Sequence, residues 1–161
     1  MKKVLLFYGL LVIVVIIFML TRGTNFLNFG GGGGSSSTTA TIQNKTYKLI
    51  VVKTEKDKQK GLSDRNSLPN DSGMLFIFQE KSKPAFWMKN MKFPIDILFI
   101  NDTKIVDIVE NAKAPSKEQN TAALPIYKPS EDSNYVLEVN AGEVKKNNIK
   151  KGDIVTFKGI Q

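Results

Sequence analysis

The residues with the most chemistry per unit length are Phe86-Trp87-Met88-Lys89-Asn90-Met91-Lys92-Phe93-Pro94-Ile95-Asp96, which set the only tryptophan, an amide, two lysines and a carboxylate around one proline. Read as a strand, alternation that turns Phe86 and Met88 inward turns Trp87 and Lys89 outward, presenting an aromatic plate beside a cation. Arg65, after the turn at Gly61, and Glu138, inside Val136-Leu137-Glu138-Val139, add a second cation and a second acid. Together Arg65, Trp87, Lys89, Asn90, Asp96 and Glu138 could line a cleft that binds a polar or anionic ligand by stacking and charge-assisted hydrogen bonds. Each has a plainer reading. Phe86, Trp87 and Met88 serve a core equally well. Asn90 and Asp96 could satisfy local backbone around Pro94. Arg65 could pair with Asp64, Asp96 or Glu138, and Glu138 could be exposed or buried with a partner.

Composition excludes much. The 161 residues include no cysteine and no histidine, so disulfides, Cys/His zinc sites, a cysteine nucleophile and any imidazole base are ruled out. Catalysis would fall to carboxylates. Asp96 with Glu138, aided by Asp64, could serve as an acid/base pair for a hydrolase or transferase if about 5–9.5 Å apart across an open cleft. No nucleophile–base pair is recognisable, which favours binding over catalysis. A structural or partner-binding role for the motif is a third reading. Metal could enter only through oxygen ligands such as Asp64, Asp71 or Asp96, and no calcium-loop spacing is present, so no cofactor or metal is expected.

The elements that must position these residues are short. Tyr47–Val52, Met74–Phe78, Phe86–Met88, Ile95–Ile100, Ile105–Val109, Tyr135–Val139 and Ile154–Phe157 are β-type runs. Asn101-Asp102 predicts a hairpin between Ile97–Ile100 and Ile105–Ile108. Two short helices are expected, over Thr54–Lys60, capped by Thr54 and closed by Gly61, and over Ala141–Asn147. The fold class is mostly β (α+β with two short helices), a small curled sheet or barrel-like single domain.

The ordered set Gly61-Leu62-Ser63-Asp64-Arg65, Gly73-Met74-Leu75-Phe76-Ile77-Phe78, the Phe86 to Asp96 stretch, Tyr135-Val136-Leu137-Glu138 through Gly142, and Gly152-Asp153 resembles the bacterial and archaeal domain-of-unknown-function family number 192 over about residues 46–158. Met91 stands where that family often has threonine, and Ile95 where it has leucine. The resemblance implies a compact β-rich fold with an N-terminal export or anchor segment, and no assigned reaction or catalytic residue.

From Val4 to Leu20 sixteen of seventeen residues are hydrophobic and none is charged. As a helix this run is about 26 Å long, enough to cross a hydrocarbon core of about 30 Å. Lys2 and Lys3 precede it and only Arg22 closely follows, so the N-terminus is expected in the cytoplasm and the rest outside. The expected partner is therefore the lipid bilayer, through a single-pass membrane anchor. A secreted form, after cleavage of the segment as a signal peptide, is the alternative. Gly30 to Gly34 and the Ser/Thr run after them form a tether reaching about 17–21 Å. The domain map is thus 1–3 cytoplasmic, 4–21 transmembrane anchor, 22–41 flexible linker and 42–161 globular domain. Of the 23 cations against 15 acids, Lys2, Lys3 and Arg22 lie before the domain, which leaves it 20 cations and a net charge of +5. The charges are interleaved, which points to a solvated surface and away from nucleic acid. The expected function is a membrane-anchored extracytoplasmic binding or accessory module of the cell envelope. Oligomeric state has no signature in the sequence.

Overall fold

The computed structural model describes residues 37–116 and 123–160. The expected anchor over 4–21 and the glycine run over 30–34 lie outside them. Among the described residues no helix is long and apolar enough to cross a membrane.

Seven strands form one sheet: β1 (Thr39–Ile42), β2 (Lys45–Val52), β3 (Ser72–Ser82), β4 (Ile95–Asn101), β5 (Lys104–Ala112), β6 (Ser133–Asn140) and β7 (Val155–Lys158), in the order β5-β4-β6-β3-β2-β1-β7. Helix α1 (Glu55–Lys60) lies between β2 and β3, and α2 (Glu143–Lys146) between β6 and β7. The sheet curls until its two edges touch: Lys104 bridges Ile154, and the Val155 amide donates to the Thr103 carbonyl at 2.7 Å. The mostly β, curled architecture with two short helices is the expected one.

Several elements follow directly from local chemistry. Thr54 caps α1 by accepting from the Asp57 amide, and Gly61 ends it at a φ of 49°, where a side chain is strained. The hairpin joins β4 to β5 in antiparallel register, Leu98 opposite Ile108, with Asp102 at positive φ in the turn. Two assignments change. Thr39 to Thr41, expected as tether, are strand, because Ala40 and Ile42 bury completely between β2 and β7. Phe86–Met88 is no ladder strand: Phe86 makes one bridge with Tyr127, and the turn closed by the Met91 amide on the Met88 carbonyl stops the pairing.

Alternation divides the sheet into two apolar faces. Ala40, Ile42, Leu75, Leu98, Leu137 and Val155 meet inside the curl with Val144 of α2. Met74, Phe76, Ile97, Phe99 and Val136 form the other face, covered by Leu62, Leu68, Met88 and Met91 from the loops. Met91 and Ile95, the two departures from the family pattern, are both buried there. Parallel pairing of β2 with β3 requires a crossover, and the segment carrying α1 supplies it. Its Leu62 and Leu68 lie on the second face, so the functional features gather on that side. Gly73 allows the close approach of β3 to β6, since a Cβ there would lie 2.7 Å from Leu137 Cδ1.

Candidate functional site

A cleft of about 810 Å3 opens on the second face. One wall is α1 and the turn after it, contributing Glu55, Lys58, Lys60 and Ser63. The opposite wall is the loop with Ala85, Trp87, Lys89 and Asn90. Phe76, Phe78 and Phe86 lie between, and Glu138 of β6 lines the cleft with them.

The aromatic floor comes from period-two spacing on β3, which sends Phe76 and Phe78 to one face. Phe86 meets the rings of Phe76 and Phe99 edge-on, with centroids 5.0 and 5.9 Å away, the favoured quadrupolar arrangement. The loop is held to the α1 turn by Ser63 Oγ donating to the Lys89 carbonyl at 3.0 Å and the Asp64 amide donating to the Asn90 carbonyl at 3.1 Å. Asn90 takes a φ of 58° in that turn, and it lines the cleft.

Lysines set the electrostatics. Lys58 is largely covered, its Nζ 2.9 Å from Glu55 Oε1 and 4.6 Å from the centroid of the Phe78 ring. Lys89 Nζ stands 5.3 Å from the Trp87 centroid, a cation–π distance. Trp87 itself is 53% exposed, so its ring is available for stacking, and the plate-and-cation pair expected from alternation is present although the segment is not a ladder strand.

Glu138 is the unusual group. It is 6% exposed, sits between Met74 of β3 and Ile97 of β4, and its Oε2 has no hydrogen-bond partner among the described residues. Burial alone pushes its carboxyl up to about 8, so at pH 7 it holds a proton and can donate a hydrogen bond.

Asp96 is elsewhere. Register sets Asp96 opposite Val139 and Ile97 opposite Glu138, which puts Asp96 inside the curl and Glu138 on the other face. The Asp96–Glu138 acid/base pair therefore does not form. Asp96 is fully buried and saturated instead: Oδ1 accepts from the Asn111 amide at 2.8 Å and Oδ2 from the Val144 amide at 2.9 Å. The second bond caps α2, whose own N-cap, Gly142, has no side chain to do it. Arg65 is exposed, makes no ion pair among the described residues, and lines a neighbouring depression with Ile50, Asp64 and Met74 across the 60–63 turn. Of the six candidates, Trp87, Lys89, Asn90 and Glu138 converge.

Sequence reasoning missed Lys58, Lys60, Phe76 and Phe78. The signal was present in the paired phenylalanines at i and i+2 and in the i, i+3 spacing of Glu55 and Lys58, but only the crossover brings that helix over that strand.

The family model DUF192, described as an uncharacterized ACR, matches residues 37–157. No curated protein matches the chain. Among solved structures, a protein from Sinorhizobium meliloti 1021, described as a candidate transcription regulator, is 31% identical with a TM-score of 0.67, over 81% of this chain and 100% of that one. A protein of unknown function from Novosphingobium aromaticivorans is 27% identical with a TM-score of 0.66, over 74% of this chain and 83% of that one. The unit Ser36–Gln161 is compact in its own right, and the Sinorhizobium chain, matched over its whole length, is a counterpart that folds without a further domain.

Proposed function

The chain belongs to the DUF192 family, and because the description of that family states no activity, we propose from the site itself that the domain is a binding module of the cell envelope, taking a polar ligand with an anionic group into the Glu138 cleft. The observation that carries this is the contrast between the two buried acids. Asp96 has both oxygens filled by backbone donors, whereas Glu138 lines a cleft bearing lysines and its Oε2, shielded from solvent, has no partner among the described residues. An unpaired buried carboxyl costs stability that a purely structural residue would not carry. A ligand oxygen accepting from the protonated Glu138, with Lys58, Lys60 and Lys89 facing the negative charge and Trp87 against an apolar edge, would complete the site.

Binding is favoured over catalysis because, of the two serines lining the cleft, Ser63 donates its hydroxyl to a main-chain carbonyl, and the chain has no imidazole to serve as a base. The apolar run from Val4 to Leu20 behind Lys2 and Lys3 supports a membrane anchor with the domain outside the cytoplasm. Protease added to intact cells should then digest the domain; digestion only after lysis would count against that location.

The binding test uses the single tryptophan. At pH 7, glucuronate or methyl phosphate is expected to change Trp87 emission saturably, while glucose and added sodium chloride do not. Glu138→Leu should weaken that binding at least about tenfold, since a hydrogen bond to a charged group contributes about 1.5–3 kcal/mol, and Glu138→Gln, which keeps a donor, should retain it. If neither anion moves the emission beyond the controls, the reading fails.

A further inference from the structure

Two cavities meet at Trp87. The lysine-lined cleft and a smaller pocket of about 250 Å3 share Ala85, Phe86 and Trp87, and Ile126 completes the smaller one. Among the described residues no charged side chain lines the second pocket. Its geometry follows from the Phe86–Tyr127 bridge, in which each amide donates to the other carbonyl at 2.9 and 2.8 Å. Antiparallel pairing at that bridge sets Trp87 opposite Ile126, both on the side away from the Phe86 ring. These two are 53% and 63% exposed. A single exposed apolar side chain is ordinary, but two side by side, one of them stacked under a lysine and both bordering a polar cleft, make a surface with a charged end and an apolar end.

We infer that the ligand of the cleft is an amphiphile, with its anionic head among Lys58, Lys89 and Glu138 and its apolar tail laid across Trp87 into the pocket of Ala85 and Ile126. The inference rests on the reading of the cleft as an anion site and adds the second half of the molecule. Lys89 Nζ stands 5.3 Å from the Trp87 centroid, so charge and tail are within the reach of one small molecule. The pocket's volume of about 250 Å3 suits one short chain.

The test uses the folded unit Ser36–Gln161 and reads Trp87 emission and heat of binding. Octyl phosphate below its micelle concentration is expected to bind at least about tenfold more tightly than methyl phosphate, because several methylenes leave water. Ile126→Asn, a neutral change at an exposed position, should reduce octyl phosphate to the methyl phosphate affinity while leaving methyl phosphate unchanged. Equal affinity for the two phosphates would overturn the amphiphile and leave the anion reading standing. Failure of both phosphates, or octyltrimethylammonium binding as well as octyl phosphate, would overturn the anion reading itself. Binding to phosphatidylglycerol vesicles without binding to monomeric octyl phosphate would overturn the single-molecule ligand in favour of a membrane contact.

Discussion

Glu138→Gln is expected to leave stability nearly unchanged at pH 5 and to make the domain more stable than the wild type at pH 9, by roughly 3–5 kcal/mol. The reason is the proton that burial forces on Glu138. Its carboxyl is pushed up from 4.5 to about 8 by burial alone, so between those values the folded protein holds a proton that the unfolded chain has released. A raised folded-state value contributes stability that is fully present below pH 4.5 and drains away as pH rises through 8. Glutamine is neutral throughout and close in shape, so it removes the titration without emptying the space. All other groups titrate alike in the two proteins, which isolates Glu138 in the difference. Urea denaturation at pH 5, 7 and 9 measures it. A wild-type minus variant difference that stays constant across that range would show that Glu138 is not held protonated.

Asp96→Ala is expected to cost about 3–5 kcal/mol at pH 7, a large share of the roughly 5–15 kcal/mol that holds a domain together. Two amides, of Asn111 and Val144, lose their acceptor at once, and the Val144 amide is at the start of a four-residue helix that has no other side-chain cap. Asp96→Asn keeps one acceptor oxygen but turns an amide N–H2 toward the other donor, so it should recover less than half of the loss. Circular dichroism should report a fall in Tm of about 10 °C or more for the alanine variant, and hydrogen exchange should quicken first at Val144 and Asn111. A loss below 1 kcal/mol would mean that water replaces the carboxylate at both amides and that Asp96 does not hold α2 in place.

These two acids show what was legible in the chain and what was not. Both stand in apolar runs, and alternation shows only that each shares a face with its second neighbours. Whether two strands set those faces together depends on register. Ile97 opposite Glu138 and Asp96 opposite Val139 separate the acids by the thickness of the sheet, and a slip of one residue would have reversed that. The Trp87 and Lys89 pair was readable because both come from one short segment in which neighbouring contacts follow from backbone geometry. Arg65 looked equally placed in the sequence, yet the turn after α1 carries it to the neighbouring depression.

By itself the sequence determined six of the seven strands, all but β1, together with the hairpin at Asn101-Asp102, the capped helix from Thr54 to Gly61, the absence of thiol and imidazole chemistry, and the DUF192 pattern. Each of these depends on residue type, spacing within about ten residues, or a motif order along the chain. Tertiary structure alone decided that Glu138 lines a cleft without a partner among the described residues, that Asp96 is a structural acceptor, and that Lys58 and Phe78 line one cleft with Trp87. Those outcomes join residues tens of positions apart through the curl of one sheet and one crossover. Burial and partner choice are properties of that packing, and no local pattern encodes them.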